Sequence, residues 1–301
     1  GAGAGSPRPG PRGGVDVTST VLDAVLCLLL ISGAVVTVTT AAPHEPAGEG
    51  RAADVAATLT TTTTSVTHTL TPRTGATGVD VPNRSARFER TSHGTLAELL
   101  ARAAVARTEV DGERLWYARD GFTHVVNRSV RGVVRPNHTL ITATWRPYPE
   151  SSIEGRVVVG SRPPPGRPVH AATVEVSSGL PTTRDASRRA ARERGVGGVA
   201  DVVAGGLVRG LFPATRTRTA AGGAAPAAAL VHHRYRRTAA RLGVEPPSRL
   251  ADGGVEAAND RLESALADRV ARDLRSADAS AARAAEGVRL GRVRIVVRTW
   301  P

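Results

Sequence analysis

The longest apolar run of the sequence spans residues 21–42 and reads VLDAVLCLLLISGAVVTVTTAA. Its central part, from Ala24 to Val38, contains no charged residue. An α-helix rises about 1.5 Å per residue, so about 20 residues are enough to cross the hydrocarbon core of a bilayer. The run therefore predicts an N-terminal transmembrane helix. Asp23 must lie close to the head groups at one end, because a carboxylate at the bilayer centre is costly.

The charges on either side of this run predict its orientation. Arg8 and Arg12 precede the run, whereas Glu45 and Glu49 follow it. Because positively charged flanks stay in the cytoplasm, we expect a single-pass protein of the cell membrane with a cytoplasmic N-terminus and an extracellular C-terminal domain. A cleaved secretory signal, a buried core helix and a lipid anchor at Cys27 are the alternatives that the residues leave open.

The composition indicates a basic domain with small apolar side chains in its core. The 301 residues include 40 Lys+Arg and 27 Asp+Glu, for a formal net charge of +13, and all of these cations are arginines. Aromatic residues make up only 3% of the chain, so valine, leucine and alanine must fill the core. The length beyond the apolar run is enough for one large domain or two small ones.

Sequons for N-glycosylation lie on the predicted extracellular side, at Asn83, Asn127 and Asn137. Cys27 is the only cysteine, so disulfide pairing within the chain gives no information about the compartment. The sequons therefore support an extracellular location independently of the flanking charges, and we predict these asparagines as glycosylation sites.

Changes in composition along the chain indicate an α+β protein built from successive parts. We expect one N-terminal transmembrane helix followed by an extracellular domain with a small antiparallel sheet and several helices. The predicted parts are a flexible cytoplasmic tail (1–17), a transmembrane helix (18–42), a stalk or linker with a short helix and a strand (43–82), a mixed helix-and-sheet region (83–180), and a mainly helical region that ends in a strand (181–301).

Hydrophobic periodicity predicts the elements of the extracellular domain. Thr95–Thr108 has the spacing of an amphipathic helix, with Thr95 and Glu98 placed for a capping box. Leu115–Val134 is interpreted as strand segments of a small antiparallel sheet on which this helix packs. Further strands are predicted at Thr60–Leu70, Thr139–Trp145, Val157–Val159, Val169–Val176 and Arg292–Trp300, and further helices at Arg51–Leu59, Pro181–Arg194, Val196–Leu211, Ala227–Leu242, Gly254–Ala277 and Ala279–Glu286.

The last predicted strand, Arg292–Trp300, alternates in polarity. Its end at Thr299-Trp300 resembles the end of an earlier strand at Thr144-Trp145, which favours neighbouring strands or a duplicated corner. Alternate residues of a strand share a face. We therefore expect Val293, Ile295 and Val297 on one side, and Arg292, Arg294, Val296 and Arg298 on the other.

The segment Val196–Leu211 is apolar and rich in glycine, but it also contains Asp201 and Arg209. These charges make a second transmembrane helix unfavourable. We interpret the segment as an amphipathic or buried helix, with a second membrane contact as the alternative.

Motifs for catalysis and cofactor binding are absent from the sequence. The chain has no lysine, so no Gly-x-x-x-x-Gly-Lys phosphate-binding loop occurs. Neither a His-x-x-x-His zinc pair nor a Gly-x-Ser-x-Gly nucleophile elbow is present. We therefore predict that the protein is not an enzyme and has no catalytic residue, metal ligand, cofactor or small-molecule substrate.

A basic cluster lies in one of the predicted helices, where His232 and His233 are followed by Arg234, Arg236 and Arg237. Such a cluster can bind phosphate-rich or other anionic partners. The alternative is a solvated helix face in an arginine-rich sequence. Because we expect the domain outside the cell, acidic glycans, lipid head groups or a partner protein are favoured over nucleic acid.

A basic-glycine pair, Arg12-Gly13, precedes the polar residues Thr18–Thr20, and Asp23 follows near the start of the apolar helix. This pattern resembles the N-terminus of type IV pilin-like and TadE-like proteins, in which the membrane helix also packs in a filament or an assembly platform. With the LFP at Leu211–Pro213, the HRYRR cluster and the closing RTWP, the whole chain is similar to an uncharacterised haloarchaeal membrane-protein family associated with pilus-like systems.

The resemblance implies a structural or accessory component of a pilus-like or secretion-related assembly. Its partners would be other membrane or assembly subunits, and Asp23 is a candidate assembly contact. An anchored binding protein for an anionic glycan or nucleic acid is the alternative function, and a surface hydrolase is a further one. Neighbouring genes for a secretion ATPase and a polytopic platform protein would favour the assembly.

We predict that Asp23→Asn still inserts in the membrane but co-purifies with fewer partner subunits. A carboxylate one turn inside a membrane helix needs a positive partner, and an assembly can provide one through an amino terminus or an arginine of a neighbouring subunit. Crosslinking in native membranes measures the association, and Asp23→Leu is expected to behave in the same way. Identical partner profiles for the wild type and Asp23→Asn would contradict an assembly role of this carboxylate.

Overall fold

A six-stranded antiparallel sheet organises the part of the chain that the computed structural model describes. The described residues are 49–70, 88–116, 120–134, 138–223, 227–250 and 253–301, and all of them fall in one compact unit. The predicted transmembrane helix with Asp23, and the sequons at Asn83 and Asn137, lie outside the described residues. Helices and antiparallel sheets are both present, which confirms the mixed α+β class.

The elements are numbered here in chain order. The helices are α1 (Glu49–Thr61), α2 (Leu96–Ala106), α3 (Asp120–Val133), α4 (Arg184–Leu211), α5 (Ala214–Ala221), α6 (Ala227–Leu242), α7 (Gly254–Ser276) and α8 (Ala281–Gly287). The strands are β1 (Thr63–Leu70), β2 (Phe88–Thr95), β3 (Glu109–Val110), β4 (Glu113–Arg114), β5 (Thr139–Trp145), β6 (Ile153–Gly160), β7 (His170–Ser177) and β8 (Arg292–Thr299).

The strands of the large sheet follow the order β4-β3-β6-β5-β8-β7, and each neighbouring pair is antiparallel. The strands with similar Thr-Trp endings, β5 and β8, are therefore neighbours, as predicted. Because they are antiparallel, Trp145 lies opposite Val293, while Thr299 lies opposite Thr139. The similar endings thus lie at opposite ends of the strand pair and do not form one corner.

Helix α2 covers one face of this sheet and begins at the predicted capping box. The Thr95 hydroxyl accepts a hydrogen bond from the Glu98 amide at 3.1 Å, and the Glu98 carboxylate accepts one from the Thr95 amide at 3.0 Å. Gly155 of β6 permits close packing, because a Cβ atom there would lie 2.1 Å from the carbonyl oxygen of Ala104. The strand side chains on this face are buried: Ile141, Ala143, Trp145, Val157, Val159, Ala172, Val174, Val293, Ile295 and Val297.

The predicted strand segments within Leu115–Val134 are wrong, because residues Asp120–Val133 form helix α3. Phe122, Val126 and Val130 are buried, and their spacing of about one helical turn places them on one side of a helix. The β-branched valines of this segment favour a strand locally. Packing of α3 against α2, β1 and β6 overrides that preference.

The predicted strand Thr60–Leu70 is confirmed in its later part. Helix α1 continues to Thr61, and β1 begins at Thr63. Its antiparallel partner β2 was not predicted, because its sequence, FERTSHGT, is mostly polar. These two strands form a ribbon separate from the large sheet.

Helix α4 combines two of the predicted helices, which meet at Gly195. This residue has φ 64° and ψ −149°, a conformation that glycine adopts at little cost. The second half of α4 is buried as expected, with Val199 and Val203 fully inside the core, and it packs against α7 and α8. Within the described residues, the stretch Arg184–Ala221 is long and apolar enough to cross a membrane, but 61% of its apolar window is buried in the fold, as in a core helix.

A polar network attaches α7 to one end of the sheet. The Asp273 carboxylate accepts hydrogen bonds from the Tyr148 hydroxyl at 2.8 Å, the Ser152 hydroxyl at 2.6 Å and the Ser152 amide at 3.0 Å. Arg269, one turn earlier on α7, donates to the Ser152 hydroxyl at 2.9 Å and pairs with Asp111. Burial raises the pKa of the Tyr148 phenol above its ordinary value, so Tyr148 remains a neutral donor to the carboxylate.

We predict that Asp273→Ala lowers the free energy of unfolding by about 3 kcal/mol, because it leaves several part-buried donors without their charged acceptor. Thermal and urea denaturation of the purified chain, followed by circular dichroism, measures this loss. Asp268→Ala is the matched control, since Asp268 is exposed on the same helix and its change should stay within about 0.5 kcal/mol. Equal effects of the two substitutions would contradict the structural role of the network.

Candidate functional site

The face of the sheet opposite α2 presents arginines from β6 and β8, the two strands that flank β5. Arg156 of β6 is paired with Thr144 of β5, and Thr144 is paired on its other side with Arg294 of β8. Arg298 lies further along β8 and shares this face, because alternate residues of a strand point to the same side. Arg156 and Arg294 are exposed, and Arg298 is half-buried. We refer to this side of β5–β8, with Arg156, Arg294 and Arg298, as the arginine face.

The spacing of these side chains follows from sheet geometry. Neighbouring strands lie about 4.8 Å apart, and a strand rises about 3.4 Å per residue. The Cα atoms of Arg156 and Arg294 are therefore about 10 Å apart, and those of Arg294 and Arg298 about 14 Å apart. A surface with several anions can meet each arginine with a separate anion. The cross-strand row between the arginines is uncharged and consists of Val158, Thr142, Val296 and Thr173.

The acidic side chains on the same side of the sheet are already paired. Glu154 pairs with Arg146, and Glu175 pairs with Arg292 at 2.8 Å. Glu175 also lies 4.0 Å from Arg289. Across the described ranges, in contrast, no hydrogen bond or ion pair engages the arginines of the arginine face. Glu175 is also the cross-strand neighbour of Arg294 and offsets part of its charge. The face therefore carries a net positive charge.

The basic cluster predicted from the sequence lies on α6, and the structure separates its arginines. The Arg234 guanidinium lies 4.1 Å from the ring centroid of Trp116 and 4.7 Å from that of Phe212. Arg236 is exposed, and Arg237 is half-buried. A guanidinium stacked on aromatic rings gains a cation–π interaction, so Arg234 contributes to the packing of α6. Anion binding by these arginines stays a prediction.

The groups next to this cluster are held by burial and hydrogen bonds. The Tyr235 hydroxyl donates to Asn259 Oδ1 at 2.7 Å, and the Asn259 amide donates to a backbone carbonyl at the end of α4 at 3.0 Å. Burial lowers the pKa of His233, and the positive charges of Arg237 and Arg236 lower it further. His233 is therefore mainly neutral near pH 7 and adds little charge to the cluster.

Asn127 is the sequon residue that falls within the described part of the chain. It lies on α3, and its side-chain amide donates a hydrogen bond of 3.0 Å to the carbonyl oxygen of Val158 on β6. The nitrogen to which a glycan would be attached thus makes a contact within the fold. Glycosylation at Asn83, Asn127 and Asn137 stays a prediction.

An acidic groove beside α4 and α7 is lined by charged residues that include Asp201, Asp260, Glu263 and Asp268. Asp201 forms an ion pair with Arg194 at 2.5 Å. Among the residues that the structure describes, no group of three or more His, Cys, Asp or Glu side chains is arranged to hold a metal ion. We therefore do not treat this groove as a metal centre.

The sequence predicted only part of the arginine face. The alternation along β8 is confirmed, since Val293, Ile295 and Val297 are all fully buried, while Arg294 is exposed. Arg156 was missed, because the predicted strand began one residue after it. The alternation in IEGRVVVG was the available signal, but the strand order that brings β6 and β8 to either side of β5 cannot be read from either segment alone.

Comparison with known proteins identifies one family. A family model described as a family of unknown function, DUF7284, matches residues 22–300. No curated protein and no solved structure matches this chain significantly. The match includes the elements from α1 to β8, so the arginine face lies within the region that defines the family.

We predict that Arg234→Ala lowers the free energy of unfolding by about 1 kcal/mol, because it removes the cation–π contact with Trp116 and Phe212. Arg189→Ala removes the same charge from an exposed position on α4, and its effect should stay within about 0.5 kcal/mol. Chemical denaturation of both variants measures the difference. If both substitutions destabilise the protein equally, the stacking of Arg234 has no special role.

Proposed function

We propose that this chain, which belongs to the DUF7284 family of unknown function, is a structural or accessory component of a pilus-like or secretion-related assembly at the cell surface. In this proposal residues 21–42 span the membrane once, with the N-terminus in the cytoplasm and the α+β domain outside. Its partners are other membrane or assembly subunits, and its role is not catalytic.

The observation that carries the proposal is the position of α1 in the fold. Ala52, Ala56 and Leu59 of this helix are buried in the core, and α1 packs against β7 and β8. Helix α1 begins at Glu49, so only residues 43–48 separate the apolar run from the folded domain.

In this proposal the folded domain follows the apolar run after only residues 43–48 of the sequence, so its partners lie in the membrane or beside it.

An anchored binding protein for an anionic partner is the second candidate function. The arginine face favours it, because its positive charges have no partner within the described fold. The two candidates differ in the size of the complex that is recovered. A component of an assembly is recovered in a complex larger than the single chain, whereas an anchored binding protein can be recovered as the single chain.

We expect protease added to intact cells to remove a C-terminal epitope tag from the native protein. Sodium carbonate should leave the protein in the membrane fraction, and native electrophoresis after mild detergent extraction should show a complex larger than the single chain. A cytoplasmic protein must stay intact as the control for cell integrity. A protected epitope would contradict the proposed topology, and recovery of the single chain alone would contradict the assembly role.

A further inference from the structure

We infer that the arginine face binds the anionic head groups of the bilayer that anchors the chain. The inference rests on the anchored topology proposed above and adds the ligand chemistry of one surface of the domain. The ligand is a flat array of phosphate groups on anionic lipids, and the interaction orients the sheet with Arg156, Arg294 and Arg298 toward the membrane.

Charge complementarity is the first argument. No partner for these arginines occurs within the described ranges, while Glu154 and Glu175 on the same side of the sheet are paired with other arginines. A basic side chain next to an anionic bilayer shifts the binding equilibrium by roughly fivefold. The arginines of this face together therefore shift the equilibrium toward the surface by roughly 100-fold.

The spacing of the charges is the second argument. The Cα atoms of these arginines lie about 10 to 17 Å apart, which suits a surface on which anionic groups are mobile and can move to each guanidinium. Val158, which lies between the arginines and is 41% exposed, can lie against the boundary between head groups and acyl chains.

The residue types on the face argue against single-stranded nucleic acid. Unpaired bases are held largely by stacking on aromatic rings. The outward positions of the four strands carry no aromatic side chain. They are Glu154, Arg156, Val158 and Gly160 on β6, Leu140, Thr142 and Thr144 on β5, Arg292, Arg294, Val296 and Arg298 on β8, and Ala171, Thr173, Glu175 and Ser177 on β7. A lipid surface needs positive charge and small apolar groups, and the face provides both.

The experiment measures the distance of this face from the bilayer in the full chain. Cys27→Ala removes the only thiol, and Val158→Cys then carries a fluorophore on the arginine face. The protein is reconstituted in phosphatidylcholine vesicles, with or without about 30 mol% phosphatidylglycerol, and a nitroxide on a fraction of the head groups quenches nearby fluorophores. We expect quenching at Val158→Cys to be at least about threefold stronger with phosphatidylglycerol, and to fall to the neutral-lipid level in about 0.5 M salt.

Variants with matched changes of charge isolate the face. Replacing Arg156, Arg294 and Arg298 by glutamine should remove the extra quenching. A control that replaces Arg189, Arg192 and Arg216 by glutamine lowers the net charge equally at exposed positions on α4 and α5, and it should keep the quenching. A fluorophore at Ser264→Cys, exposed on α7, should show no dependence on phosphatidylglycerol.

Flotation of the same vesicles separates this inference from the proposed topology. Protein that floats with both lipid compositions but shows equal quenching in each would overturn head-group binding and leave the anchor in place. Quenching that is unchanged in the glutamine variant of the face would also overturn head-group binding. The same holds if a protein contact shields the Val158→Cys fluorophore as strongly in neutral vesicles as in vesicles with phosphatidylglycerol. Protein that fails to float would overturn the anchored topology itself.

Discussion

The pairing of β8 between β5 and β7 is the interaction on which both the core and the arginine face depend. Val293, Ile295 and Val297 of β8 are fully buried, so this strand completes the apolar face that α2 covers. Its partners lie more than a hundred residues earlier in the chain. Closing so large a loop costs conformational entropy before any hydrogen bond forms, and burial of the apolar face offsets that cost.

One register sets both faces of the sheet. Side chains alternate along a strand, so a shift of one residue would exchange the covered face for the open face. Gly155 fixes the arrangement on the covered side, because the backbone of α2 lies where any larger residue would place its Cβ atom. With Val293, Ile295 and Val297 of β8 facing inward, Arg294 and Arg298 must point outward. Stability of the core and charge of the surface therefore follow from the same constraint.

Arginine has three different physical roles in this fold. Arg234 is stacked on aromatic rings, and Arg269 links α7 to the Ser152 loop through hydrogen bonds. Arg156 and Arg294, by comparison, are exposed on the open face. The planar guanidinium suits each of these roles, since it stacks, donates in several directions and keeps its charge. The environment that each arginine meets therefore decides whether it stabilises the fold or remains available to a ligand.

The sequence alone determined the features that depend on local spacing. It predicted the Thr95–Glu98 capping box, the alternation in β8, most helices of the second half and the apolar run, because each signal lies within a few turns or one strand. It failed for α3, where contacts with α2 and β1 overcame the strand preference of valine, and for the polar strand β2. Only the tertiary structure decided that Arg156 and Arg294 share one face. Their approach requires β5 to pair with both β6 and β8, and no local pattern encodes the order of strands that are so far apart in the chain.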